Sequence, residues 1–407
     1  MSDPVIGMTF QMSEDDVSSV AGADHSRALL IETSEDASDA EIPLNTAVRA
    51  STGNKDFRAA LGSGPLYDAI FGIRRQVGGL NSEADVTVVR VKEEATPAAT
   101  CANIAAILDA VAEIPPKVNA TPRLVWAGRT DWRPDENTKN PVITALEPAL
   151  ETLLAVAPVD VDDTSRDLAI DARETIGSER ILPIGIASKD WHGDQLVTVP
   201  TGPRALGLFV AEDKRHGGKP FDPIGNRALN IAGVSRDLGF SLLSGANEGQ
   251  QLLDAEVAII DQGETNVDGA SADGGFVFWG VDSATNDDVW KQIHQVRGSD
   301  YLKVKMMKIT RKYLARRGKP RTMNVFLHSQ KKMLETHKRA EDILGFQMRF
   351  DPDHNSPEDL ALGHFDVSFD IEYTPAIKKV NHRIGRYRPA LKGYVRDLMS
   401  SMDSALY

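Results

Sequence analysis

The groupings best placed to do chemistry in this chain of 407 residues are few. Glu264, Asn266, Asp268 and Gly269 have the alternate-ligand spacing and the glycine turn of a calcium loop. The position where a bidentate glutamate should close the shell is Gly275, so the stretch reads as a plain turn. His216-Gly217-Gly218-Lys219 sets a lysine at a flexible loop, but the G-x-x-x-x-G-K-S/T spacing that cradles phosphates is missing. His354 and His364 lie in an acidic stretch, and two such histidines are ordinary surface or core residues in most folds. No G-x-S-x-G elbow, H-E-x-x-H pair or G-x-G-x-x-G turn occurs. The single cysteine, Cys101, excludes an internal disulfide and a cysteine-based zinc cluster, and fits folding in a reducing cytoplasm. The expectation is no catalytic residue, no cofactor and no metal.

Charge carries more information. The net charge is −13, but residues 291–349 hold 16 bases and 4 acids, whereas residues 350–373 hold 7 acids and no base. Residues 374–407 return to net +5, and residues 1–50 stand at −8. A basic block on an acidic protein needs something negative beside it. On a helix, Lys305, Lys308 and Lys312 share one face. Aromatic platforms are sparse there, chiefly Tyr301 and Tyr313, so base stacking has little support, though phosphate contact does not need it. Three readings stay open for this face: nucleic acid, solvent, or an acidic protein surface.

The elements around these residues alternate. Residues 26–33, 42–50 and 85–91 read as strands, with two helices over 56–76 separated by Gly-Ser-Gly-Pro. Beyond residue 96, apolar strands at 123–128 and 180–187 alternate with helices at 101–114, 140–157, 165–177 and 204–217. That order predicts a mainly parallel sheet covered on both faces. A basic helix over 303–319 and a second over 323–345 follow, the latter with Met333, Leu334, Ala340, Ile343 and Leu344 on one face. Residues 346–352 and 363–375 read as strands, the second with Phe365, Val367, Phe369 and Ile371 on one side. No leading signal segment and no apolar run of about 18 residues is present, so no membrane insertion is expected.

Four segments in order, at 71–91, 221–234, 274–302 and 363–387, resemble the contractile tail sheath proteins of tailed bacteriophages, the long-tailed and Mu-like branch, and their relatives in contractile bacteriocins and injection machines. They include "FDPIGNRALNIAGV", "GGFVFWG" with its Arg297-containing helix, and "GHFDVSFDIEYTPAIKKVNHRIGRY". The resemblance implies an α/β plus α+β, multidomain chain. Its layout would be an arm at 1–20, a mixed subdomain at 21–95, a central subtilisin-like, non-catalytic α/β domain at 96–285, a tube-facing α+β domain at 286–385, and an arm at 386–407. It implies a structural machine part rather than an enzyme. Copies would stack as six-fold rings around a tail tube and contract to drive the tube through the host envelope. Expected partners are the chain itself, a tail tube protein, and baseplate and terminator proteins, with no nucleic acid bound. The place would be a virion tail assembled in the host cytoplasm. On this reading Val5, Ile6, Met8 and Phe10, with Tyr387, Leu391 and Tyr394, form strand-donating arms. Phe365, Val367, Phe369 and Ile371 mark the accepting sheet, where each added backbone hydrogen bond contributes roughly 0.5–1.5 kcal/mol. Lys305, Lys308 and Lys312 face the tube, and Trp279, Gly280 and Trp290 form a joint between domains. A basic nucleic-acid binder and a cytoplasmic α/β enzyme remain the rivals.

Overall fold

Unbroken branched runs such as Leu29-Leu30-Ile31 and Val86-Thr87-Val88-Val89 fit a sheet with helices on both faces. The computed structural model describes residues 24–78, 83–135 and 138–406. The arm residues Val5, Ile6, Met8 and Phe10 lie outside them.

The first elements are β1 (Ala28–Thr33), β2 (Ala47–Ser51), α1 (Lys55–Ala60), α2 (Pro65–Val77), β3 (Asp85–Val91), α3 (Pro97–Asp109), α4 (Ile114–Val118) and β4 (Leu124–Ala127). Next come α5 (Pro141–Leu153), β5 (Ala157–Asp160), α6 (Arg166–Glu174), β6 (Ile181–Ile184), the hairpin β7 (Ser188–His192) and β8 (Gln195–Val199), and α7 (Gly202–Arg215). Then follow β9 (Arg227–Ala228), β10 (Gly233–Val234), α8 (Glu248–Asp254), β11 (Ile259–Gln262) and β12 (Phe276–Trp279).

The strand order is β2-β3-β1-β4, with β1 parallel to both β3 and β4. Single parallel bridges, Leu124 to Val156 and Ile184 to Ala258, carry the ladder on to the β5–β6 pair and then to β11–β12–β9. The strands of this sheet come from both sides of residue 95, since β4 pairs directly with β1. Alternate strand residues enter opposite cores. Leu30, Val88 and Trp126 pack with α2 and α7, while Leu29, Ile31 and Val125 pack with α3 and α5.

The remaining elements are α9 (Ile293–Thr310), α10 (Pro320–Arg339), β13 (Ile343–Arg349), α11 (Pro357–Ala361), β14 (Ser368–Tyr373) and α12 (Pro389–Leu406). A third core of Tyr301, Leu302, Ile309, Met333, Leu334, Ile343 and Tyr373 joins α9, α10 and the antiparallel β13–β14 pair. Two boundaries differ from the expected ones. The basic helix stops at Thr310 rather than running to Gly318. The second helix stops at Arg339, because Glu341 takes a left-handed backbone (φ 62°); Ile343 therefore starts a strand and Leu344 points to solvent. Residues 376–407 form a separate compact unit.

One polar cluster fixes α2, α7 and the β7–β8 hairpin together. Arg204 is fully buried and divides its guanidinium between Asp68 (2.7 Å) and Asp190 (2.6 Å). Arg75 also reaches Asp190, and His192 Nε2 lies 3.0 Å from Asp68. Burial pushes the Asp68 carboxyl up, but Arg204 and His192 outweigh it and hold the group below its usual range. Removing one partner of such a cluster leaves buried charge uncompensated. Arg204→Met is expected to lower stability by about 3–5 kcal/mol, read as an earlier urea midpoint with unchanged slope.

Candidate assembly interface

α9 is half core and half surface. Its first turns bury Ile293, Val296, Arg297, Asp300 and Tyr301. Arg297 forks onto Asp213 of α7 at 2.6 and 3.0 Å and lies 4.6 Å from the Phe209 ring centre. Asp300 receives Arg180, which stands just before β6. Burial pushes the Asp213 carboxyl up to about 6, with Arg297 opposing it. Trp290 packs against both the central core and the third core, and its ring centre lies 5.8 Å from that of Tyr373. Trp279 is half-buried beside Phe240 (5.7 Å between ring centres). Gly280 is required by close approach: a Cβ there would meet the Ala258 Cβ at 2.3 Å. The three residues do not form one cluster; Trp290 alone of them packs on both cores.

The expected lysine face divides. Lys305 is 9% exposed, with Nζ 2.9 Å from His337 Nε2 and 5.1 Å from the Tyr301 ring centre. It belongs to the interior and not to an outer face. Lys308 is half-buried and Lys312 is exposed. The exposed bases gather instead at the α9–α10 turn, where Arg311, Arg316, Arg317 and Lys319 join Lys312. Arg316 stacks 5.8 Å from the Tyr313 ring, and Tyr313 meets Phe326 edge-on at 5.3 Å. Leu314 is 67% exposed beside them. A groove of about 200 Å³ opens here, lined by Tyr313, Phe326, Arg316 and Phe365 among others.

Phe365 thus leaves the face on which alternation placed it. β14 begins at Ser368, and a Cβ on Gly318 would lie 2.7 Å from the Phe365 ring. Val367 lines a second groove with Leu327, Met348 and Phe350. Only Phe369 and Ile371 stand on the strand, opposite Met348 and Phe346, and both pack on the third core. Among the described residues β13 and β14 pair only with each other, so each keeps one free edge.

The C-terminal arm is also different in kind. Residues 376–388 have no regular secondary structure, and Tyr387 there is 77% exposed. Leu391 and Tyr394 lie on helix α12 and not on a strand. Pro389 suits the first helical turn, and Leu391, Tyr394, Val395, Leu398 and Met402 recur with helical spacing. All five are at least 44% exposed. That spacing was readable in the sequence. So was the β7–β8 hairpin, whose Gly193-Asp194 turn sits between Trp191 and Leu196.

No protein-family model matches the chain. Over 348 residues it is 24% identical to a Pseudomonas aeruginosa (strain UCBPP-PA14) protein described as "Putative prophage major tail sheath protein", covering 82% of this chain and 84% of that one. A subunit of the anti-feeding prophage helical sheath in its contracted state superposes over 95% of this chain and 100% of its own, with a TM-score of 0.67 at 15% identity. This is the fold of a contractile sheath subunit. A subunit of an extracellular contractile injection system, in the PVC sheath complex in its contracted state, matches with a TM-score of 0.66 at 12% identity over 94% of this chain and 99% of that one. A chain of the anti-feeding prophage baseplate, 6-fold symmetrised, matches with a TM-score of 0.65 at 13% identity over 95% of this chain and 99% of that one.

Burial separates the two lysines experimentally. Lys305→Glu should destabilise the fold, because the new carboxylate is buried among Tyr301, His337 and Asp342. Lys312→Glu should leave the unfolding free energy from urea titration within about 0.5 kcal/mol of the parent. Equal effects of the two changes would contradict the placement of Lys305.

Proposed function

We propose that the chain is a structural, non-enzymatic subunit of a contractile tail sheath, polymerising as stacked six-fold rings around a tail tube. The observation that carries this reading is the correspondence with sheath subunits over nearly the whole chain. In this layout 96–285 supplies most of a subtilisin-like central domain, whose sheet also takes β1–β3 from the 21–95 segment, 286–385 is the tube-facing domain, and 1–20 and 386–407 are arms. Contraction drives the tube through the host envelope for genome ejection, with baseplate and terminator proteins at the ends. The place of action is a virion tail, assembled in the host cytoplasm. The basic residues are used on protein and not on nucleic acid.

The tube-facing surface is the α9–α10 turn. Arg311, Lys312, Arg316 and Arg317 supply charge, and Leu314 supplies an apolar contact at its centre. Lys308 lies at its edge, and Lys305 is not part of it. Arms carry the ring-to-ring links. Residues 376–388 contain five lysines and arginines and no acid, whereas 350–373 contain seven acids and no base. The basic stretch of one copy therefore suits the acidic hairpin of another, running along the free edge of β14, with Tyr387 entering beside it and the apolar stripe of α12 following. Val5, Ile6, Met8 and Phe10 serve the same purpose from the other end.

Negative-stain electron microscopy of the chain expressed alone tests this. Hollow, ridged cylinders are expected, and particles that stay monomeric both alone and with the adjacent tube-gene product would overturn the reading. Replacing Arg311, Lys312, Arg316 and Arg317 together by Glu should abolish assembly on the tube while self-assembly persists. Deleting 376–407 should leave folded, unpolymerised subunits by analytical ultracentrifugation, with normal polymers as the contrary result.

A further inference from the structure

His337 sits where α9 and α10 meet the loop after α7. Its Nε2 is 2.9 Å from Lys305 Nζ, and its Nδ1 is 2.7 Å from Asp342 Oδ2. The same Asp342 oxygen takes Lys219 Nζ at 3.2 Å. An ammonium only donates, so Nε2 must accept from Lys305 and Nδ1 must carry the proton that goes to Asp342. The imidazole in this arrangement is neutral. It is 1% exposed, with the Tyr301 ring edge-on at 5.6 Å and Phe221 at 5.4 Å between ring centres.

The charged and titratable groups facing it come from each packed element. α9 supplies Lys305 and Tyr301, with Lys308 next outward. The loop after α7 supplies Lys219, and the turn after α10 supplies Asp342. His25, ahead of β1, stands against Tyr301 at 5.1 Å between ring centres. One carboxylate thus serves two ammonium groups and an imidazole. A second proton on His337 would point an N–H at the Lys305 ammonium and leave a single anion among three cations.

We propose that His337 is a proton-controlled latch: neutral, it holds the α9–α10 layer to the Lys219 loop of the central body, and protonated, it faces the Lys305 ammonium and lets that layer loosen. The contacts are internal to one chain, so the latch operates whether or not the chain polymerises, and its failure would leave the sheath reading untouched. The sign follows from the surroundings. Burial, with Lys305 and Lys219 adding to it against the Asp342 hydrogen bond, holds His337 below its ordinary value of 6.5. Burial and then Lys219 likewise hold Lys305 down. The open form therefore takes the proton first, and the closed form is fully favoured above pH ~6.5 and loses ground as the pH falls below it. Burial also pushes Asp342 up, but the hydrogen bond from His337 and the charge of Lys219 leave it below its usual range, so it stays ionised throughout this window. Asp213 has the opposite sign, since burial raises it to about 6 and the closed form accepts its proton more readily. Variants at His337 and Lys305 therefore isolate the latch from it.

Hydrogen–deuterium exchange on the full-length chain, corrected for intrinsic pH dependence, reads the opening directly. From pH 7.5 to 5, peptides covering 215–222 and 300–342 should lose protection by up to about tenfold per pH unit, the limit for one proton. Peptides from β1 and β3 should not change. His337→Gln, which keeps a neutral amide but cannot titrate, should flatten this profile, and Lys305→Met, which removes the facing cation but leaves His337 buried, should reduce its slope. Wild-type protection that is constant across the range, or a loss shared equally by both variants, would overturn the latch.

Discussion

The position of α9 depends on two buried ion pairs that cross from it to the central body. Arg297 reaches Asp213 of α7, and Asp300 receives Arg180 beside β6. The four side chains are at most 7% exposed. Buried charges of this kind tolerate little displacement, because moving one strands the other without water. Their spacing of one helical turn along α9 fixes both its rotation and its depth. Once these are fixed, Lys305 must point inward to His337, and the chain beyond Thr310 must leave the body with its arginines in solvent.

That one constraint sorts the basic block into parts that composition alone treats as a unit. Lys305 and Arg297 are interior, the first against His337 and the second paired with Asp213. Arg311, Lys312, Arg316 and Arg317 are exposed at a turn that also shows Leu314. A surface that combines dense positive charge with exposed apolar area is suited to a protein partner more than to a phosphate backbone, where apolar side chains add nothing to counterion release. The acidic hairpin region lies immediately after in sequence. The chain therefore carries both signs of a complementary pair on separate elements, a distribution that favours association between copies.

Much of this was readable from residues. Strands with branched runs, the paired helices around Gly62 and Gly64, the Ser165 cap of α6 and the parallel arrangement all follow from local pattern. The failures have identifiable causes. Ile343 and Leu344 continue a helical spacing, and nothing local ends α10: Glu341 is an unusual residue for a left-handed turn, and that turn is supported by Asp342, which His337 and Lys219 hold. Lys305 reads as surface because its partner is 32 residues away. Phe365 obeys the alternation of β14 without belonging to it, because the gap over Gly318 draws its ring away. α12 is the opposite case: its helical period is present in the sequence, and a strand-donating arm over the whole terminus overlooks it.

A joint built from charges differs in kind from one built from apolar area. Well-packed apolar replacements of buried ion pairs are often equally stable, so the pairs are not there for stability alone. Apolar contacts are non-directional and allow a helix to slip or rotate at modest cost. The Arg297 fork matches Asp213 in one orientation only, and the Lys305–His337–Asp342–Lys219 chain fails as a unit if any one member shifts. These directional contacts hold the α9–α10 layer in one register. Such a joint fixes where the exposed basic turn after Thr310 leaves the body.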